Sequence, residues 1–574
     1  MKRFLCAILA LMLVMGLATT AFAADVNVTI KDNSAYTGTR SYKGYMLMTA
    51  TISADGINFA YTVNPKYAAV LKEALGLALT ATDADIIAGL KAITDRSEQM
   101  HHFSDDLYRL IMADPTLGPD TSWNGVSNIM TQAYWLIVDT TDLSNTEFAN
   151  SLVIVDTIGN TDITITNKPK STTAPKYVDD ENDSLAYPKT GHEDKDDWQG
   201  VADYDIGDHV PFTLGIACAN DIAEYDYFSF VMQDKVEKGL TFDKDSFEIY
   251  VKGVKLPADA LAEAGSAGAA TAHFLYEIET VMDGGVQASQ TLYVYPNYSY
   301  TAPDSTVVAA NKTNGGNFLQ YFAEVGITDH AEINSATVRL DYTCTLNKNA
   351  VIGGDGNPNT YSLKFSNNPY DYTSYGKTPN KTTIVLTYKL IVNKVDTSGN
   401  PLSGAQFSLH KFVAEDIGTM TEAEAKAAGF IRHPSADTWG KYHKVETVIV
   451  NGAGDEFTFN GLDDGFYKLV EDKEPDGYNK IDPIEFSIVA SHVTEIGGGV
   501  VLTSLTGTPA VGGELIFSAD TGAGSLTTNI ENHTGSELPS TGGIGTTLFY
   551  ILGTVMVVGA AVILITRKRM SVEG

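Results

Sequence analysis

Cysteine is scarce in this sequence. Of three cysteines in 574 residues, Cys6 falls in the first apolar run, which leaves Cys218 and Cys344 for the body of the chain. A disulfide-stapled scaffold is thereby excluded. Both remaining cysteines lie in stretches that read as strands, so two buried free thiols are expected, with one pair as the alternative that Cβ geometry would have to permit. Positive charge is also in short supply. Lysine and arginine number 39 against 71 aspartates and glutamates, a formal net charge of −32. Such a surface repels phosphate backbones and anionic lipid, so nucleic acid is excluded as a partner and a self-repelling exterior is expected. No nucleophile elbow, phosphate loop, zinc-protease helix or dinucleotide fingerprint occurs, so neither a turnover enzyme nor a cofactor is expected. His101-His102 with Asp105-Asp106 read as the solvated face of an amphipathic helix. The acidic runs "DDENDS" and "HEDKDD" lack the spacing of a calcium loop. No metal is expected.

Long apolar runs stand at the two ends. Lys2-Arg3 precede the run Phe4 to Leu17, and Ala21-Phe22-Ala23 has the small-x-small pattern of a signal peptidase site, so residues 1–23 read as a signal peptide. Residues 544–565 are uncharged and apolar, reach roughly 33 Å as a helix, and are followed by Arg567-Lys568-Arg569. This is the pattern of a membrane span with a basic cytoplasmic stop.

The length between them suits three folded domains. Residues 24–167 combine alternating strands at the flanks, "VNVTI" and "TDITIT", with helical inserts "KYAAVLKEALGLAL", "DADIIAGLKAI" and "SEQMHHFSDDLYRLIMA". After the linker "NKPKSTTAPK", residues 168–386 read as a β-sandwich with strands such as "VPFTLGIA", "YFSFVMQ" and "ATVRLDYTCTL". Residues 387–533 are again strand-rich. One helix interrupts them, with Thr421 as N-cap and Glu424 three residues on. The tail, 538–574, contains Leu538-Pro539-Ser540-Thr541-Gly542 just before the span.

That tail resembles the sorting signal that sortases of Gram-positive bacteria recognise. The resemblance implies that the enzyme's cysteine attacks the carbonyl of Thr541, cuts before Gly542 and passes Thr541 to an amine. Three further stretches, "LIVNKVDTSGNPLSGAQFSL", "FNGLDDGFYKLVEDKEPDGY" and "TTNIEN", resemble the collagen-adhesin B-type domains of surface proteins and pilins, in which a Lys and an Asn are joined under a Glu. The matching positions are Lys394, Asn532 and Glu471. The bland alternative is an ion pair between Lys394 and Glu471. The middle domain resembles the isopeptide-forming middle domains of the same pilins. There the resemblance implies Lys176 as nucleophile, Asp234 as proton shuttle and Asn367 as acceptor, with Asn368 as second choice.

The chemistry explains these residue types. An ammonium is no nucleophile and an amide carbon is a poor electrophile, so the lysine must lose a proton and the asparagine must be polarised. Burial lowers the pKa of a lysine and raises that of a carboxylic acid, and the acid can then relay protons as ammonia leaves.

The resemblance as a whole is to the major, shaft-forming pilins that sortases assemble. It implies a mainly β fold of tandem Ig-like β-sandwiches of collagen-adhesin A and B type with helical insertions, plus one C-terminal transmembrane helix. It also implies a structural subunit secreted and anchored to the cell wall. The partners would be a sortase, further copies of the pilin in a covalent polymer, peptidoglycan and a host surface ligand. A lysine acceptor for Thr541 is needed, and Lys189 of "AYPK" competes with Lys170 and Lys168 of "NKPK". The alternative function is an adhesin anchored singly, which binds a host ligand and does not polymerise.

Overall fold

The computed structural model describes residues 24–535 apart from positions 33, 53–58, 95–97, 145, 168–170, 181–197, 220, 303–304, 435–437, 497–500 and 511–514. The chain is mainly β. The first-domain flanks pair with each other: β1 (Asp25–Asp32) runs parallel to β4 (Asp162–Asn167), with Val28 opposite Ile163 and Ile30 opposite Ile165. Val26, Val28 and Ile30 point inward, as period-two alternation requires. Between them β2 (Ser41–Ile52) pairs with β3 (Ala133–Asp139), and helices α1 (Ala68–Ala74), α2 (Asp83–Ala92) and α3 (Glu98–Ala113) pack as insertions. Thr82 caps α2 through a reciprocal box with Asp85.

In the middle region two sheets of seven and eight strands face each other. One contains β5 (Lys176–Asp179), β6 (His209–Ala217) and β8 (Thr337–Leu346); the other contains β7 (Phe230–Glu237) and β9 (Asn357–Ser366). Val210, Phe212, Leu214 and Ile216 meet Phe230, Met232, Leu363 and Phe365 in one core. Cys344 lies opposite Val210 near one end of β6, while Cys218 follows the other end, so along the strand they are separated by roughly 25 Å. Both are free thiols.

The third region repeats the plan with sheets of five and six strands. The first sheet holds β10 (Tyr388–Val395) parallel to β14 (Ser525–Glu531); the second holds β11 (Gln406–Ala414), β12 (Gly465–Lys473) and β13 (Ile484–His492). The helix α4 (Glu422–Ala427) starts at Thr421 with the capping box to Glu424 that the sequence predicts.

The joints between regions carry polar contacts as well as apolar ones. At the first, Arg109 of α3 pairs with Asp226 at 2.5 Å and the Asn150 N–H donates to the Asn367 carbonyl. Asp105, expected on a solvated helix face, is instead buried, while its neighbours His101 and His102 are exposed. At the second joint, Lys411 reaches Asp205 and Asp463, and the Gly200 N–H donates to the Thr494 carbonyl. Among the described residues no helix is long and apolar enough to cross a membrane. Residues 1–23 and 544–565, read as signal peptide and span, lie outside them.

Candidate functional site

Each sandwich places polar side chains where its alternation calls for apolar ones. In β7 the inward set is Phe230, Met232, Asp234 and Val236. In β9, paired with it, Tyr361 lies opposite Asp234 and Asn359 opposite Val236. Asp234 and Asn359 are thus neighbours on one inner face. From the facing sheet, β5 directs Lys176 inward and leaves Tyr177 40% exposed. The Lys176 Nζ donates to Asp234 Oδ1 at 2.6 Å and to the Tyr342 hydroxyl at 2.9 Å. Tyr342 in turn donates to Asp234, and its oxygen accepts from Asn359 Nδ2 at 3.0 Å. The Asn359 carboxamide oxygen is buried with no hydrogen-bond partner in the structure.

Desolvation pulls the Lys176 ammonium below the ordinary lysine range, against the opposing pull of Asp234. Tyr342 is held far above its ordinary value by burial and by Asp234, so it keeps its proton and serves as a donor to the carboxylate. Lys176, Asp234 and Asn359 thus share one hydroxyl, that of Tyr342.

Asn367, the acceptor expected from the sequence, is elsewhere. Asp234 faces Tyr361, and Asn367 lies six residues further on, roughly 20 Å along the strand direction. Its side chain donates to the Leu143 carbonyl at 3.1 Å and accepts from Ser374 Oγ at 2.8 Å, so it ties the first joint. Asn368 is no nearer; its side-chain oxygen accepts from the Tyr370 N–H at 3.0 Å. Asn359 is the asparagine that stands beside Lys176 and Asp234.

In the third sandwich the inward residues of β10 run Tyr388, Leu390, Val392 and then Lys394. Those of β12 run Tyr467, Leu469 and then Glu471, and those around β14 run Leu526, Thr528, Ile530 and then Asn532. Three apolar ladders end on polar groups at one level of the core. Lys394, Glu471 and Asn532 are each 0% exposed. The Lys394 Nζ donates to the Ile530 carbonyl at 2.7 Å, and desolvation lowers its pKa to about 8. Glu471 holds the other partner: Asn532 Nδ2 donates to its two oxygens at 3.0 and 3.3 Å, and the Ile481 N–H donates to Oε2 at 2.9 Å. Lys394 and Glu471 are therefore not joined as a strand-end ion pair. The Asn532 carboxamide oxygen is buried and without a hydrogen bond. A half-turn about its Cβ–Cγ bond would set that oxygen against Glu471, in position to accept a proton from the acid.

Tyr342 is the participant the sequence did not flag. Its place in "VRLDYTCTL" marks it as inward-facing, which is equally the mark of an ordinary core aromatic. Lys168, Lys170, Lys189 and the Leu538-Pro539-Ser540-Thr541-Gly542 motif lie outside the described residues.

Residues 388–498 match the SpaA family of prealbumin-like fold domains, and residues 530–571 match the LPXTG cell wall anchor motif. The chain is accordingly a cell-wall-anchored surface protein. It is 25% identical over 329 residues to the trypsin-resistant surface T6 protein of Streptococcus pyogenes serotype M6, a stretch covering 45% of this chain and 56% of that protein. The chain thus spans little more than half the length of this curated relative. Among solved structures, the T6 backbone pilin of serotype M6 Streptococcus pyogenes, a modular three-domain protein, aligns with a TM-score of 0.48 and 14% identity over 90% of this chain and all of that one. The major pilin SpaD of Corynebacterium diphtheriae aligns with a TM-score of 0.40 and 13% identity over 90% of this chain and 98% of that one.

Proposed function

We propose that this chain is the structural shaft subunit of a covalently polymerised surface pilus. A sortase cuts it after Thr541 and joins that residue to a lysine of the next copy, and the last copy is attached to peptidoglycan. Two internal amides stabilise each subunit, Lys394 to Asn532 and Lys176 to Asn359. The chemistry is self-processing: the neutral lysine nitrogen attacks the asparagine Cγ, a C–N bond forms, the carboxamide C–N bond breaks and one ammonia departs. Glu471 and Asp234 carry the protons. Each centre acts once, so the reading involves no turnover enzyme.

The observation that carries this reading is the pair of buried lysine, acid and asparagine clusters in a chain that ends in a wall-anchor motif. Homology to the T6 protein supports it. A buried lysine facing an acid is costly to keep as a mere ion pair, and here its placement beside a carboxamide gives it a use. The domain limits at about residues 167 and 386 belong to the same proposal.

Boiled, denatured cell-wall extracts test it. A ladder of covalent multimers is expected, and it should collapse to one band when the true acceptor among Lys189, Lys170 and Lys168 is changed to Arg. A single band from the native strain would overturn the shaft assignment in favour of a singly anchored adhesin.

A further inference from the structure

We propose that His492, Asp180 and Asp203 form a site for one divalent metal ion of the zinc class, held across the joint between the middle and third sandwiches. Asp180 follows β5 and Asp203 ends the strand Val201–Asp203, both in the middle region, whereas His492 ends β13 in the third. The His492 Nε2 lies 3.2 Å from an Asp180 carboxylate oxygen and 3.8 Å from one of Asp203. One ligand atom from each residue falls within 4.8 Å of the other two. A tetrahedral ion with bonds of about 2.1 Å sets its ligand atoms roughly 3.4 Å apart. Two edges of the triangle, 3.2 and 3.8 Å, have about that length, and the third is under 4.8 Å.

A proton on Nε2 engages only part of this triangle. An imidazolium N–H at Nε2 reaches Asp180, but Asp203 at 3.8 Å is beyond hydrogen-bond range of the same proton. A cation at the centre of the triangle reaches all three. The surroundings also orient the ligands. His492 Nδ1 faces the Val493 carbonyl at 3.2 Å, which orients the ring with Nε2 toward the carboxylates. The Gln199 side chain donates to Asp180 Oδ2 at 2.6 Å, and the Asp203 N–H donates to Oδ1 at 3.2 Å.

The ligand side chains are 9–15% exposed, so an ion can enter from solvent and is then poorly screened. The strongly acidic chain concentrates cations at its surface. The two lysine clusters act within their own sandwiches and leave this joint to the main chain near Leu386–Tyr388 and to noncovalent contacts. An ion shared between Asp180, Asp203 and His492 would stiffen the joint. This site stands on the joint's geometry and is independent of polymerisation.

The test uses the intact protein stripped with a chelator and dialysed against zinc chloride, with manganese chloride and calcium chloride as parallel probes. Bound metal is measured by mass spectrometry and the metal-induced shift in unfolding temperature by calorimetry. One zinc per chain, with a higher unfolding temperature than in chelator, is expected. Asp203→Asn and His492→Gln should each weaken zinc binding tenfold or more, while His209→Gln, at the exposed Asp243 pair, leaves it unchanged. Each variant's metal-free unfolding curve shows whether it is folded. Absence of stoichiometric zinc, zinc retained in both ligand variants, or a preference for calcium would overturn the proposal.

Discussion

The middle and third sandwiches bring a lysine to an asparagine with the acid on opposite partners. In the middle one Asp234 holds the lysine, and in the third Glu471 holds the asparagine. The difference follows from which sheet supplies which residue. Asp234 and Asn359 come from neighbouring strands of one sheet and Lys176 from the sheet facing it, so a bond there would pin sheet to sheet. Lys394 and Asn532 come from parallel neighbours within one sheet, and Glu471 reaches them from the other, so a bond there would join the first strand of the sandwich to its end. Load entering at β10 and leaving after β14 would cross the amide directly. In the middle sandwich the strand Lys381–Leu386 lies beyond Asn359 and rests on hydrogen bonds to β9. The comparison teaches that the acid's assignment is topological: it sits on whichever partner the facing strands leave within its reach.

Removing the acids should separate the two sites most sharply. Asp234→Ala strands a wholly buried lysine and is expected to cost about 3–5 kcal/mol in denaturant unfolding, besides blocking the loss of ammonia. Glu471→Ala should also restore the missing ammonia in the intact mass, but at a smaller stability cost, because Lys394 keeps its carbonyl partner. Equal costs would erase the distinction drawn here. The acceptor in the middle sandwich comes next. Asn359→Ala should retain one ammonia that the native chain loses, whereas Asn367→Ala should lose it normally and be destabilised by about 1–3 kcal/mol through its broken joint contacts. The reverse outcome would restore Asn367 as acceptor.

The last effect is in pH. Lys394 titrates near 8 when folded and unlinked, below its unfolded value of about 10.4. Between those values the unfolded chain holds a proton that the folded chain lacks, so stability rises with pH across that window and is flat below it. Asn532→Ala, which cannot link, should show this rise in thermal unfolding. In the native chain the amide removes the titrating amine and the rise should vanish. A flat profile for the variant would mean that burial does not deprotonate Lys394.

Much of the third sandwich was legible in the sequence, since "LIVNKV", "GFYKLVE" and "LTTNIEN" each alternate inward residues, mostly apolar, up to a Lys, Glu or Asn. The helix at Thr421 was legible for a local reason too, its capping box. The middle acceptor was not. The run "NPNTYSLKFSNNP" offers Asn357, Asn359, Asn367 and Asn368, and only the register of β9 on β7 selects among them. Tyr342 escaped notice because a buried tyrosine that polarises an acid looks, in sequence, like one that fills space.

By itself the sequence determined what is local or periodic: alternating strands, helix caps, three strand-rich stretches, a wall-anchor motif, and the residue types that an amide-forming centre needs. The tertiary structure alone decided which of those residues meet. Strand register set Asn359 rather than Asn367 beside Asp234, and the docking of one sandwich on another brought His492 to Asp180 and Asp203 from about three hundred residues away. The reason is that side-chain direction along a strand repeats every two residues and can be read in one dimension. Proximity between strands depends instead on how whole sheets pair and pack.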